Sequence, residues 1–66
     1  MARGSNHEET GILLEVGVYP VLTMDGGGQW RLDPSCRYRH LVGQRVRVFG
    51  TRADFHVLDV KRIEPA

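Results

Sequence analysis

Arginine supplies eight of the nine basic residues in this 66-residue chain. Its guanidinium group binds phosphate through two parallel hydrogen bonds and stacks on flat rings. Residues 37–52 hold five arginines and no acidic residue. An alternating strand there would place Arg45, Arg47 and Phe49 on one outward face, with Val46 and Val48 inside. A basic strand face with an aromatic neighbour is a minimal surface for single-stranded nucleic acid.

A solvated strand face often carries the same residue types, because arginine stems cover apolar surface well. Patch composition alone therefore does not identify a nucleic-acid binder. The whole chain has a net charge of only +1. The charge is uneven, however: residues 1–33 carry two basic and five acidic side chains, and residues 34–66 carry seven basic and three acidic ones. Any basic surface should therefore come from the second half of the chain.

No catalytic group, metal site or cofactor is predicted. Cys36 and His40 are four residues apart, but a structural zinc ion needs four ligands and no second pair has suitable spacing. Neither Ser5 nor Ser35 has a recognisable base partner. The glycines after Asp25 are not followed by the Gly-Lys-Ser/Thr of a phosphate loop and are explained by a hairpin turn. We therefore expect a binding protein rather than an enzyme.

Alternating and turn-flanked apolar residues predict five short strands. Ile12, Leu14, Val16 and Val18 alternate with Leu13, Glu15 and Gly17, which is a period-two pattern. The five predicted strands cover residues 10–18, 19–24, 29–33, 44–52 and 55–63. Gly17 and Gly50 are the expected positions of a bend or bulge. The inward face of the fifth strand stays open, since Val57 and Leu58 are both apolar, and a bulge near Asp59 would decide whether Lys61 or Arg62 joins the basic face.

One or two helical turns are predicted over residues 34–42. Asp33 or Ser35 could cap such a helix, Pro34 suits its first turn, and Gly43 suits its C-terminal end. The resulting order of three strands, a short helix and two strands is that of the OB-fold, a five-stranded Greek-key barrel. An SH3-like barrel is the alternative. We predict a disordered segment over residues 1–9 and one OB-like domain over residues 10–64.

Part of the sequence resembles short bacterial OB-like domains of unknown function. The resemblance is carried by residues 30–33 (WRLD), residues 41–52 (LVGQRVRVFGTR) and residues 58–60 (LDV), and it extends over roughly residues 11–64. Residues 41–50 fit the pattern L-x-G-x-x-V-x-V-x-G, which is common to many OB-folds. The resemblance implies the fold and brings no established activity with it.

An OB-fold binds ligands on the outer face of its second and third strands and on the loops after its first and fourth strands. In this sequence Tyr19 and Phe55 could stack on bases while Arg31 and Arg52 hold phosphate. Packing of Phe55 into the core is the alternative that general aromatic burial favours. Trp30, which shares a face with Leu32, is expected in the core. The full set of candidate binding residues is Tyr19, Arg31, Arg45, Arg47, Phe49, Arg52, Phe55 and His56.

Two functions from different classes therefore remain open. The first is weak binding of single-stranded DNA or RNA. The second is protein interaction or homodimer formation through open strand edges.

Cys36 is the only cysteine, which excludes an intrachain disulfide and favours a reducing compartment. Since residues 1–10 lack a signal-peptide core and no apolar run approaches the ~20 residues of a membrane span, we expect a cytoplasmic protein without a membrane partner.

Overall fold

Strands account for most of the chain, as the turn-flanked apolar runs predicted. A computed structural model describes residues 6–66. Five strands and one 3₁₀ turn make up the structure of this part of the chain. They are β1 (Asn6–Val16), β2 (Tyr19–Met24), β3 (Gln29–Pro34), the 3₁₀ turn (Arg39–Leu41), β4 (Arg45–Asp54) and β5 (Val57–Pro65).

The five strands form one closed sheet in the order β1-β2-β3-β5-β4, with β4 pairing back onto β1. All neighbours are antiparallel except β3 and β5, which run parallel. The long β1 makes closure possible, because its first half pairs with β4 and its second half with β2. Each strand therefore has two neighbours, although residues 14–16 of β1 pair with β2 alone and residues 32–34 of β3 pair with β5 alone.

Eight apolar side chains fill the interior of the ring: Leu13, Leu22, Leu32, Leu41, Val46, Val48, Leu58 and Val60. The inward positions of Val46 and Val48 confirm the prediction for the fourth strand. In β5 the inward pair is Leu58 and Val60, which settles the question that the sequence left open. Trp30 is half-buried and packs against this core, as expected.

A bulge lies between β4 and β5 at the predicted glycine. Phe49 pairs with Arg62 and Gly50 pairs with Val60, so Lys61 is the extra residue. A Cβ atom on Gly50 would lie 2.5 Å from the Asp59 carbonyl oxygen, so a side chain does not fit. Because of this bulge, Arg62 rather than Lys61 shares the outer face with Phe49.

In β1 the buried side chain is Leu13, and the alternating apolar residues Ile12, Leu14 and Val16 face outward. Leu13 is fully buried, whereas Ile12, Leu14 and Val16 are at least 37% exposed. Leu13 lies opposite Leu22, which also points into the ring. The outer side of β1 is consequently aliphatic at Ile12, Leu14 and Val16.

The helical segment is shorter than predicted. Pro34 is the last residue of β3, and the Ser35 amide and hydroxyl both donate to the Val60 carbonyl oxygen. These bonds tie the start of the predicted helix to the sheet, so neither Asp33 nor Ser35 acts as a cap. Only Arg39–Leu41 forms a 3₁₀ turn, and Gly43 follows it with a φ of 89°.

The first strand begins earlier than the predicted domain start at residue 10. Residues 6–9 pair with β4, with Asn6 opposite Thr51. The predicted disordered segment over residues 1–9 therefore differs from the structure for residues 6–9, and its remaining part, residues 1–5, lies outside the described residues. At the other end, β5 continues to Pro65, one residue past the predicted boundary.

Candidate functional site

Arg45 and Arg47 lie on the outside of β4, as predicted, but each has an acidic partner from the first half of the chain. Arg45 Nη2 is 2.5 Å from Asp25 Oδ2, and Arg47 Nε is 3.5 Å from Glu8 Oε2. The pairing of β1 with β4 brings Glu8 beside this strand. These two arginines of the arginine-rich stretch thus lie against carboxylates.

Asp25 and Arg45 influence each other's protonation. The hydrogen bond from the Arg45 guanidinium lowers the pKa of Asp25 below its ordinary value, and the same bond raises the pKa of Arg45. Both groups are exposed to solvent. The pair therefore stays ionised across the physiological pH range.

Phe49 is covered by a third arginine. The Arg62 guanidinium carbon lies 4.3 Å from the centre of the Phe49 ring, and Arg62 Nε is 3.4 Å from Glu64 Oε1. We call the outer surface formed by Arg45, Arg47, Phe49 and Arg62 the β4 face. Its three arginines each lie within 3.5 Å of a carboxylate oxygen, so the face has little net positive charge.

A different arrangement surrounds Arg31 on β3. Its guanidinium carbon lies 4.3 Å from the centre of the Tyr19 ring, at the start of β2. Tyr19 is 48% exposed. Within residues 6–66, no carboxylate oxygen lies within 4.0 Å of the Arg31 side-chain nitrogens. Arg31 therefore lies next to an accessible ring and makes no ion pair within residues 6–66.

Arg52 and Phe55 form a second pair of this kind at the β4–β5 connection. The Arg52 guanidinium carbon lies 5.6 Å from the Phe55 ring centre, and the Phe55 and His56 rings are in edge-to-face contact at 4.2 Å. Asp54 shapes the turn, because its carboxylate accepts a hydrogen bond from the Phe55 amide. Phe55 is 68% exposed, so the expectation that it packs in the core is wrong.

The backbone joins these two pairs into one surface. The Arg31 amide donates a 2.8 Å hydrogen bond to the His56 carbonyl oxygen, and Arg31 lies beside Val57 in the parallel ladder. We call the surface formed by Tyr19, Arg31, Arg52, Phe55 and His56 the Arg31 surface. Five of the eight predicted residues thus lie on adjoining elements, and Arg45, Arg47 and Phe49 lie on the β4 face.

An aliphatic row beside the Arg31 surface was not predicted as part of the site. Across the β1–β2 pair, Leu14 lies opposite Val21 and Val16 lies opposite Tyr19. Val21 in turn lies opposite Arg31 across the β2–β3 pair. We call Ile12, Leu14, Val16 and Val21 the aliphatic row. In the sequence, only the apolar alternation in β1 indicated this row. The strand register then shows that Ile12, Leu14 and Val16 face outward.

Thr23 lies on β2 opposite Ile12, at one end of the aliphatic row. Its hydroxyl oxygen is buried and has no hydrogen-bond partner within residues 6–66. The residue therefore offers no accessible hydroxyl to a ligand on this face. The exposed surface between Ile12 and Tyr19 is apolar.

In the part of the chain from Asn6 onward, no three His, Cys, Asp or Glu side chains are grouped so that they could hold a metal ion. Cys36 is half-buried against the core, and His40 is exposed on the 3₁₀ turn. Over the same residues, no helix is long and apolar enough to cross a membrane.

Comparison with known proteins identifies a family for nearly the whole described chain. No curated protein and no solved structure matches it. Residues 10–66 match the family model described as protein of unknown function (DUF5818), a range that includes the Arg31 surface and the whole aliphatic row. The chain therefore belongs to the DUF5818 family.

Proposed function

We propose that the closed sheet is an OB-like barrel. The order β1-β2-β3-β5-β4, the parallel β3–β5 pair and the turn between β3 and β4 support this assignment. An SH3-like barrel would have its helical turn elsewhere in the strand order. In an OB-fold the ligand lies on the β2–β3 face and against the β4–β5 loop, and those elements carry the Arg31 surface.

On this basis, we propose that the protein binds single-stranded DNA or RNA weakly through the Arg31 surface. The observation that carries the proposal is the position of Arg31, which lies on an exposed tyrosine, has no carboxylate partner among residues 6–66 and is joined to the β4–β5 loop. Aromatic stacking with neighbouring positive charge is the general means of binding single strands.

Four side chains of the Arg31 surface then have defined roles in binding. Tyr19 and Phe55 offer ring faces for stacking, and Arg31 and Arg52 offer donors for phosphate oxygens. The proposal involves binding only, with no reaction and no cofactor.

The β4 face contributes little to this proposal. Asp25, Glu8 and Glu64 neutralise its arginines, and a phosphate would have to displace these carboxylates. Arg31 and Arg52 have no such competitor within residues 6–66. We therefore place binding on the Arg31 surface, although both faces were candidates in the sequence.

A protein-interaction module is the second candidate, and the aliphatic row favours it. Exposed contiguous apolar surface is typical of protein contacts. Such a contact would use the apolar side chains of the aliphatic row. Sedimentation velocity tests its homodimeric form, which a monomer at all concentrations would exclude.

The direct test of the proposed function is an amide NMR titration with a mixed-sequence single-stranded oligonucleotide at low and raised salt. We expect salt-sensitive shifts at Tyr19, Arg31 and residues 52–56, because phosphate contacts release counterions. Shifts confined to residues 45–49 would place the site on the β4 face instead. No shifts at high oligonucleotide concentration would reject nucleic-acid binding and turn the search toward protein partners.

A further inference from the structure

We infer that the aliphatic row makes the binding surface selective for thymine-containing single-stranded DNA over uracil-containing RNA. This inference rests on the proposed function and names its preferred ligand. The row and the Arg31 surface are continuous, because Val16 lies opposite Tyr19 and Val21 lies opposite both Leu14 and Arg31.

The strand register places the aliphatic row next to Tyr19. There the row forms an apolar surface on which bases could lie, which we call the floor. Directly opposed side chains on neighbouring strands have Cβ atoms about 5 Å apart, which is within the width of one base. A base stacked on Tyr19 would therefore reach over Val16, and Val21 follows two residues along β2 on the same face. A strand held by Arg31 would lie with its bases and sugars on this floor.

The chemistry of the floor favours apolar ligand groups. Leu14, Val16 and Val21 offer no hydrogen-bond donor or acceptor, and the Thr23 hydroxyl is buried. The 5-methyl group of thymine gains apolar contact on such a surface, whereas uracil lacks it. A ribose 2′-hydroxyl placed there would lose water without gaining a partner.

The charges around the row favour a nucleic-acid strand over a second copy of this chain. Arg31 borders the row and has no carboxylate within 4.0 Å among residues 6–66. Packing two copies through this face would bring two such cations into one interface. A polyanion with apolar base faces instead complements both the charge and the floor.

The experiment compares deoxythymidine, deoxyuridine and uridine oligomers of equal length by fluorescence anisotropy with the full chain. We expect the deoxythymidine oligomer to bind at least about threefold more tightly than the deoxyuridine oligomer, which corresponds to one buried methyl group. The uridine oligomer should bind more weakly than the deoxyuridine oligomer. The first comparison isolates the methyl group and the second isolates the 2′-hydroxyl.

The variant Val21→Thr tests the floor itself, since it replaces a methyl by a hydroxyl and keeps the β-branched shape. It should remove most of the preference for deoxythymidine and leave deoxyuridine affinity nearly unchanged. Val42→Thr is the control, because Val42 is exposed on the loop before β4 and lies outside the row. It should keep the wild-type preference.

The two proposals fail in different ways. Equal affinity of the wild-type chain for deoxythymidine and deoxyuridine oligomers would overturn the thymine preference and leave the proposed function standing. If Val42→Thr also lost the preference for the deoxythymidine oligomer, that result would overturn the role of the aliphatic row. No binding of any oligomer, together with a dimer that Val21→Thr weakens, would overturn both proposals and assign the row to self-association.

Discussion

The guanidinium carbon of Arg31 lies 4.3 Å from the centre of the Tyr19 ring, and the two residues come from neighbouring strands. The backbone of Arg31 also binds His56 in the β4–β5 loop. Arg31 therefore connects the β2–β3 face with that loop. This connection makes one surface from residues that are 37 positions apart in the chain, counting from Tyr19 to His56.

Removing the Tyr19 ring should weaken oligonucleotide binding. Replacing an aromatic ring that stacks on one base typically costs about 1–3 kcal/mol of binding free energy. Tyr19→Leu should therefore raise the dissociation constant at least about fivefold, as measured by fluorescence anisotropy. Tyr19→Phe keeps the ring and should bind like wild type, so equal losses in both variants would contradict a stacking role.

The two faces of β1 should respond very differently to truncation. Leu13→Ala removes a fully buried side chain and should lower the free energy of unfolding by about 3 kcal/mol. Leu14→Ala acts on a side chain that is 38% exposed and should cost less than about 1.5 kcal/mol. Urea denaturation followed by tryptophan fluorescence measures both, and similar losses would contradict the orientation of β1.

These residues also show how far the sequence alone could lead. The burial of Val46 and Val48 was predictable because polar residues alternate with them in β4. In β1 both halves of the alternation contain apolar residues, so only the pairing of Leu13 with Leu22 inside the ring decides between them.

The candidate site was predictable only in part, for a related reason. The sequence indicated Arg31, Tyr19 and the β4–β5 loop through the position of these residues in the expected strand order. It did not indicate that Glu8 and Asp25 neutralise Arg47 and Arg45, because those contacts depend on the register between strands far apart in the chain. The start of the predicted helix over residues 34–42 does not form, because the Ser35 hydroxyl donates a hydrogen bond to the Val60 carbonyl oxygen of β5 instead.

A methyl group on Gly50 should disrupt the bulge between β4 and β5. Its Cβ atom would lie 2.5 Å from the backbone oxygen of Asp59, and a backbone atom cannot move aside easily. We expect Gly50→Ala to lower the free energy of unfolding by about 3 kcal/mol. Gly26→Ala is the matched control, since a Cβ there has no neighbour within 4 Å, and it should change stability by less than about 0.5 kcal/mol. A well-tolerated Gly50→Ala would argue against this close approach of β4 and β5.

The pair of Asp25 and Arg45 should be visible in the pH dependence of the protein. Because Arg45 lowers the pKa of Asp25 in the folded state, the pair stabilises the fold above the unfolded pKa of aspartate. That contribution is lost as the pH falls through the folded pKa of Asp25. A carboxyl NMR titration should show the Asp25 midpoint moving upward in Arg45→Ala. An unchanged midpoint would show that the two groups do not interact in solution.

We expect phosphate contacts to come from the Arg31 surface and not from the β4 face. Two double variants that remove the same charge test it: Arg31→Ala with Arg52→Ala, and Arg45→Ala with Arg47→Ala. The measurement is the salt dependence of single-stranded oligonucleotide affinity, whose logarithmic slope changes by about 0.7 for each phosphate contact. If binding uses the Arg31 surface, the slope is reduced by about 1.4 in the first variant and is nearly unchanged in the second. The opposite pattern, or equal reductions in both, would contradict it.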